Sequence, residues 1–116
     1  MNKYTIFKES KYHNKKCEYN GIKFASLKEM RYYQKLELLQ KYGKISELKR
    51  QVEFVLLETF KLENKTYRKT KYIADFTYKT PDGKYHVVDT KGIKTDVYLL
   101  KKKLMAWKYG IEIEEV

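Results

Sequence analysis

Three side chains in the C-terminal half combine types and spacing suited to phosphate chemistry: Asp75, Asp89 and Lys91. Asp75 interrupts an otherwise apolar run, Tyr72-Ile73-Ala74-Asp75-Phe76. Asp89 closes a second such run, and Asp89-Thr90-Lys91-Gly92 follows it. Between the runs lies Pro81-Asp82-Gly83, a three-residue loop in which Gly83 supplies the left-handed dihedrals a hairpin needs at its last loop position. Pairing Thr80 with Lys84 across that loop places Asp75 opposite Asp89. Directly opposed residues sit about 5 Å apart at Cβ, and a slip of one residue would send them to opposite faces.

Two carboxylates that close repel each other unless a cation or a shared proton intervenes. An all-oxygen pair suits a hard Mg²⁺ ion, with Mn²⁺ as a substitute. Period-two alternation puts Lys91 on the side of Asp89. A lysine there could offset charge developing on a phosphorane, or orient or deprotonate the attacking water. Each residue alone also has an ordinary reading, as an edge-strand acid or a surface ion pair. Their convergence is what favours a site. Glu29 stays open between two readings. Ser26-Leu27-Lys28-Glu29 is a capping box, which accounts for the carboxylate locally. Yet Glu29 shares a helix face with Tyr33 and Leu36, where an acid is poorly solvated and better explained by a site it completes.

The elements that must position these groups follow from periodicity. Tyr19 and Ile22-Lys23-Phe24 flank the turn Asn20-Gly21 and suit a short hairpin. A helix over 27–42 starts at the N-cap Ser26 and stops at Gly43, with Glu29, Tyr32, Tyr33, Leu36 and Leu39 on one broad face. Strands are expected over 52–60, 67–78 and 85–90, with Glu63-Asn64-Lys65 as the first turn. A second helix over 96–109, capped by Thr95 or Asp96, carries Val97, Leu100, Leu104 and Trp107 as its apolar stripe. Gly110 ends it, and Ile111 and Ile113 alternate with glutamates in a short last strand. The order is helix, three strands, helix, strand: one α/β (α+β) domain over 1–116, with 1–19 as a basic N-terminal arm.

Composition sets the partner class. The 116 residues carry 26 Lys plus Arg against 15 Asp plus Glu, a net charge of +11. All but Arg31, Arg50 and Arg68 of the basic residues are lysines, which favours diffuse attraction to a polyanion over bidentate base reading. Nucleic acid is therefore the leading partner. Lys15 and Lys16 on the arm and Lys94, Lys101 and Lys102 around the second helix are the candidate phosphate contacts. Tyr4, Tyr12 and Tyr19 could stack on unpaired bases or pin the arm. A single Cys17, with His13 and His86, excludes a disulfide framework and a soft-ligand zinc site. No signal peptide or apolar run of membrane-spanning length is visible, which implies a soluble, intracellular protein with no membrane partner. His86 faces away from Asp89 by alternation and takes no catalytic role.

Asp75 followed by Asp89-Thr90-Lys91 resembles the PD-(D/E)XK, or restriction-endonuclease-like, nuclease superfamily. The runs FASLKEMRYY, YIADFTY and HVVDTKGIKTDVYLLKKKL are similar to a family of small phage and prophage proteins assigned to it, over roughly residues 12–116. The resemblance implies Mg²⁺-dependent phosphodiester hydrolysis of DNA. Asp75 and Asp89 take the places of the two motif acids, Lys91 that of the motif lysine, and Glu29 that of the acid on the first core helix. It also implies a metal contact from the Thr90 carbonyl and a role for Gln51 near the metal. Ala74 stands where the superfamily's name has Pro. A homodimer acting on branched, Holliday-junction-like or partly single-stranded DNA in the cytoplasm of a bacterial host is the implied setting. The rival readings are a nucleic-acid-binding module that kept the fold without turnover, and an interaction protein whose charge only keeps it soluble.

Overall fold

The computed structural model describes residues 4–9 and 15–116, with side chains from residue 16 onward. The chain forms two compact units, Met1–Ile45 and Ser46–Val116. The side chains of Tyr4, Tyr12, His13 and Lys15 lie outside the described residues.

In the first unit, β1 (Tyr4–Glu9), β2 (Lys15–Tyr19) and β3 (Ile22–Phe24) make an antiparallel three-stranded sheet in that order. Asn20 and Gly21 both take positive φ, +50° and +75°, the primed-turn geometry that matches strand twist. The expected hairpin at Tyr19–Phe24 is present. The arm, expected from sequence only as a basic segment, contributes two strands. Tyr4-Thr5-Ile6-Phe7 is a β-branched and aromatic run, and its partners begin with Tyr4↔Tyr19.

Ser26 then opens α1 (Leu27–Lys41): its hydroxyl accepts from the Glu29 N–H at 3.1 Å, satisfying one of the helix's orphan donors. The chain leaves the helix through Tyr42 and Gly43, where φ is +73°. Met30, outside the expected stripe, is buried with Glu29 and Leu36. The aromatic rings of Tyr19 and Phe24 pack on Tyr33 at 6.3 and 5.4 Å.

The second unit is built on a four-stranded sheet. β4 (Ser46–Leu57) pairs antiparallel with β7 (Thr70–Lys79), which pairs antiparallel with β8 (Tyr85–Asp89). β9 (Glu114–Glu115) lies parallel to β8, so the sheet is mixed, in the order β4-β7-β8-β9. β5 (Phe60–Leu62) and β6 (Lys65–Tyr67) form a separate hairpin around the Glu63-Asn64 turn. The sequence reading merged these short strands with their longer neighbours, because Phe60 and Tyr67 prolong the apolar patterns. The two rings stack face to face at 4.9 Å on this exposed hairpin instead. β4 also begins six residues earlier than the expected Val52.

α2 (Asp96–Tyr109) has the expected limits: Thr95 accepts from the Tyr98 N–H, and Gly110 closes the helix with φ +65°. Its expected face is corrected in part: Leu104 packs against the core as expected, and the other three residues of the stripe do not. Val97, Leu100 and Trp107 are 62, 56 and 79% exposed, whereas Met105 is fully buried. Met105 and Tyr98, seven residues apart, share the inward face, and Lys102 lies beside them with its stem partly covered. That intervening lysine hides the true stripe from a hydrophobicity count. Leu56, Tyr72, Ala74, Val87, Met105 and Ile113 form the core of this unit. Lys108 and Tyr109 pin the C-terminal end of α2 by donating to the Val55 carbonyl on β4, at 2.9 and 2.6 Å. The described residues thus form a mixed α+β fold with two helices. None of those helices is long and apolar enough to cross a membrane.

Candidate active site

The site starts from the β7–β8 hairpin. Gly83 has φ +88°, Thr80 N–H donates to the Lys84 carbonyl at 3.1 Å, and the Thr80 carbonyl accepts from Gly83 N–H at 2.9 Å. The Asp82 carboxylate takes the Lys84 N–H at 3.1 Å, and hydrogen bonds from Thr80 and that amide hold it below the usual carboxylate range. This loop fixes the pairs Lys79↔Tyr85, Tyr78↔His86, Thr77↔Val87 and Phe76↔Val88. The register is the one expected from the loop, and the next step along it brings Asp75 level with Asp89.

Both carboxylates are buried, Asp75 at 4% and Asp89 at 1% exposure. Burial of an anion is costly unless donors replace its water. Thr90 supplies two of them to Asp75 Oδ2, from its backbone N–H and its Oγ1, each at 2.8 Å. Asp89 Oδ1 accepts from the Lys91 N–H at 2.8 Å, and Asp89 Oδ2 accepts from the Tyr72 hydroxyl at 2.8 Å. Lys91 Nζ stands 3.9 Å from Asp89 Oδ2, with its side chain 61% exposed. The strand end therefore binds its neighbour crosswise: Thr90 holds the acid of β7, while Lys91 and Tyr72 hold the acid of β8.

Simple alternation along β7 would turn Tyr72 away from Asp89. Its hydroxyl nevertheless reaches Asp89, and on the neighbouring strand the backbone departs from regular geometry at the level of Asp75. Between the pairs Arg50↔Phe76 and Val52↔Ala74, Gln51 adopts φ +51°, and its own partner position is Asp75. A left-handed residue inside a strand breaks the pleat. On one side of the break, Tyr78 stacks on His86 at 4.7 Å. On the other, Tyr72 and Ala74 join Val87 in the core and Tyr72 reaches Asp89. The irregularity thus sits at the acid itself.

Tyr72 is the site residue that sequence reasoning missed, having named it only as part of the apolar run around Asp75. Burial first, and then its bond to Asp89, push its phenol far above the usual range, so it is a fixed donor at any working pH. Tyr98 is shifted the same way by burial and by its 2.7 Å bond to Glu115 Oε2. Glu115, in turn, is drawn down to about 2, by the Tyr98 hydroxyl first and then by Lys94 and Lys102. Those two ammoniums lie 3.1 and 3.2 Å from its Oε1. Lys94 and Lys102, expected to meet phosphates, are thus tied to a carboxylate. Lys101 has no ion-pair partner among the described residues, and Lys16 is exposed in the first unit.

The remaining expected site residues stand as follows. Gln51 lies on β4 across from Asp75 and is exposed. Glu29 is buried on α1 in the first unit, where it is one of the charges that raise the Cys17 thiol, after burial. His86 is held by Glu114 Oε2 at 2.6 Å and Thr80 Oγ1 at 3.0 Å.

Whether the site suits Mg²⁺ rests on its donors. All are oxygens, as a hard cation requires, and Asp75 Oδ1 accepts no hydrogen bond among the described residues. The fit is that of a two-carboxylate site; among the described residues no group of three or more His, Cys, Asp or Glu side chains converges on a common point.

Residues 9–114 match the family model described as "Protein of unknown function (DUF1064)", and the chain belongs to that family. No curated protein and no solved structure matches it.

Proposed function

We propose that this protein is a small metal-dependent DNA endonuclease with a restriction-endonuclease-like core. The observation that carries the reading is the pair of buried carboxylates, Asp75 and Asp89, level on adjacent strands, with Lys91 reaching back to within 3.9 Å of Asp89. The succession α1, β4, β7, β8, α2, β9 supports the core assignment, with the β5–β6 hairpin as an insertion.

In this reading Asp75 and Asp89 hold Mg²⁺ or Mn²⁺ together with the Thr90 carbonyl; Gln51 is its further candidate neighbour. When bound, the metal polarises the scissile phosphate and lowers the pKa of a coordinated water. The chain's own residues do the rest. Thr90 and Tyr72 fix the two carboxylates so that neither must reorganise during the reaction. Lys91, exposed and adjacent, orients the attacking water or offsets the added negative charge. Lys16 and Lys101, with the side chain of Lys15, supply attraction to the backbone that is salt-sensitive and blind to sequence.

The substrate is DNA, branched or partly single-stranded, cut by a homodimer in a bacterial cytoplasm. Cleavage of linear, nicked, flap and four-way DNA in Mg²⁺ or Mn²⁺ against an EDTA control tests this. Cutting that needs the metal is expected, and metal-independent cutting would refute it. Sedimentation velocity at rising concentration tests the dimer, which a persistent monomer would exclude.

A second reading is a nucleic-acid-binding module without turnover. It is favoured by one observation, that both acids already have internal donors and, among the described residues, no third acid joins them. It predicts salt-sensitive binding and no cleavage of any substrate in the panel.

A further inference from the structure

Between residues that include Tyr72 and Lys91, the two side chains that reach Asp89, the second unit opens into a cleft of about 350 Å³. That is near the lower end for sites that hold one small molecule, roughly 300–1,000 Å³. Its walls are of two kinds. Ile73, Ile93 and Val97 present apolar surface, with Ile93 and Val97 66 and 62% exposed. Lys91 and Lys101 contribute ammonium groups. Tyr72 and Tyr98 also line it, and their hydroxyls donate to carboxylates, Asp89 and Glu115.

The charges are not equivalent. Lys71, also on the wall, is paired with Glu53 at 2.8 Å, and Lys91 faces Asp89. Lys101 is the ammonium with no carboxylate partner among the described residues. An unneutralised cation beside three exposed aliphatic side chains asks for a ligand that is anionic at one end and flat and apolar at the other. A stacked duplex offers phosphates outward and keeps its bases inside, so it has no use for the aliphatic wall. An unstacked nucleotide uses both features, because its base can lie on side chains while its phosphate meets a lysine.

We infer that the cleft formed by Ile73, Ile93, Val97 and Lys101 binds a single unpaired nucleotide of the substrate strand, next to the Asp75–Asp89 pair. The inference rests on the nuclease reading for its placement but is tested without turnover. In EDTA, the methyl resonances of the isoleucines and valines are followed during titration with thymidine 5′-monophosphate, thymidine or inorganic phosphate. The monophosphate is expected to shift Ile73, Ile93 and Val97 most strongly, thymidine to shift them at several-fold higher concentration, and phosphate to leave them in place.

Lys101→Gln is expected to weaken the monophosphate about tenfold, toward the behaviour of thymidine, a loss typical of one charged contact. Ile93→Ser, at an exposed position that does not support the core, is expected to weaken a thymidine oligomer about tenfold and leave duplex affinity unchanged. Equal methyl shifts with phosphate alone, or equal losses for oligomer and duplex, overturn the inference. Binding at these methyls without any cleavage sinks the nuclease reading and leaves the nucleotide site standing. Cleavage without methyl shifts does the reverse.

Discussion

Removing one oxygen tests how the buried acids are held. Tyr72→Phe deletes the hydroxyl that donates to Asp89 Oδ2 at 2.8 Å and changes little else. The ring keeps its packing on Phe54 and Tyr98, each at 6.4 Å between centroids, so no large cavity opens. Asp89 is 1% exposed, and water cannot readily replace the lost donor. The carboxylate does retain the Lys91 N–H on Oδ1 and the more distant Lys91 ammonium. A hydrogen bond to a charged group contributes about 1.5–3 kcal/mol, and the retained donors hold the loss within that range.

Urea unfolding followed by circular dichroism reads this directly. With a slope of about 2 kcal/mol/M, the midpoint should fall by roughly 1 M while the slope stays constant. A double-mutant cycle with Asp89→Asn should give a coupling of at least about 1 kcal/mol. An unchanged midpoint, or a coupling near zero, would show that the bond does not hold Asp89 and that the crosswise arrangement is wrong.

Other outcomes follow from the same geometry. Met105→Ala should destabilise the protein by about 2–5 kcal/mol, because it empties a fully buried position, while Trp107→Ala should change stability by less than about 0.5 kcal/mol. Equal effects of the two in urea titrations would restore the outward stripe as the packed face. Glu115 has its pKa depressed from 4.5 to about 2, so its contribution to stability is complete above pH 4.5 and is lost as pH falls toward 2. Glu115→Gln should flatten the acid limb of the stability–pH profile in that window, and an unaltered limb would contradict the Tyr98–Glu115–lysine network.

How much of this was legible in the sequence differs by element. The Pro81-Asp82-Gly83 loop sets the β7–β8 register, because a three-residue loop with a left-handed glycine leaves few pairings. The facing acids followed from it. Helix α2 kept its limits and α1 ended one residue early, since Ser26, Thr95, Gly43 and Gly110 are residues whose chemistry marks helix ends. The inward face of α2 was not legible. Lys102 sits on the packed side with its ammonium led out to Glu115, so the more continuous run of apolar residues is the exposed one.

The break at Gln51 was hidden for a different reason. A positive φ at a non-glycine residue leaves no mark in composition, and the Tyr72–Asp89 bond runs against the simple alternation that the sequence offers. The β5–β6 hairpin was absorbed into longer strands because its turn and its aromatic flanks continue their pattern. The roles of Thr90's N–H and Oγ1 depend on how the end of β8 meets β7, which periodicity alone does not give.

The central claim, that Asp75 and Asp89 hold a metal for phosphodiester hydrolysis, is tested most directly by Asp75→Asn. The substitution keeps the size of the side chain and an oxygen to accept from Thr90, so the fold should survive. Wild type and variant are compared on one fluorescent DNA substrate in Mg²⁺, with cleavage read on a gel and binding by anisotropy. The account predicts that cleavage by the variant falls at least about a hundredfold, as expected when a metal ligand is lost, while affinity changes less than about threefold because the attraction is spread over many lysines. A folded variant that cuts as fast as wild type would contradict it.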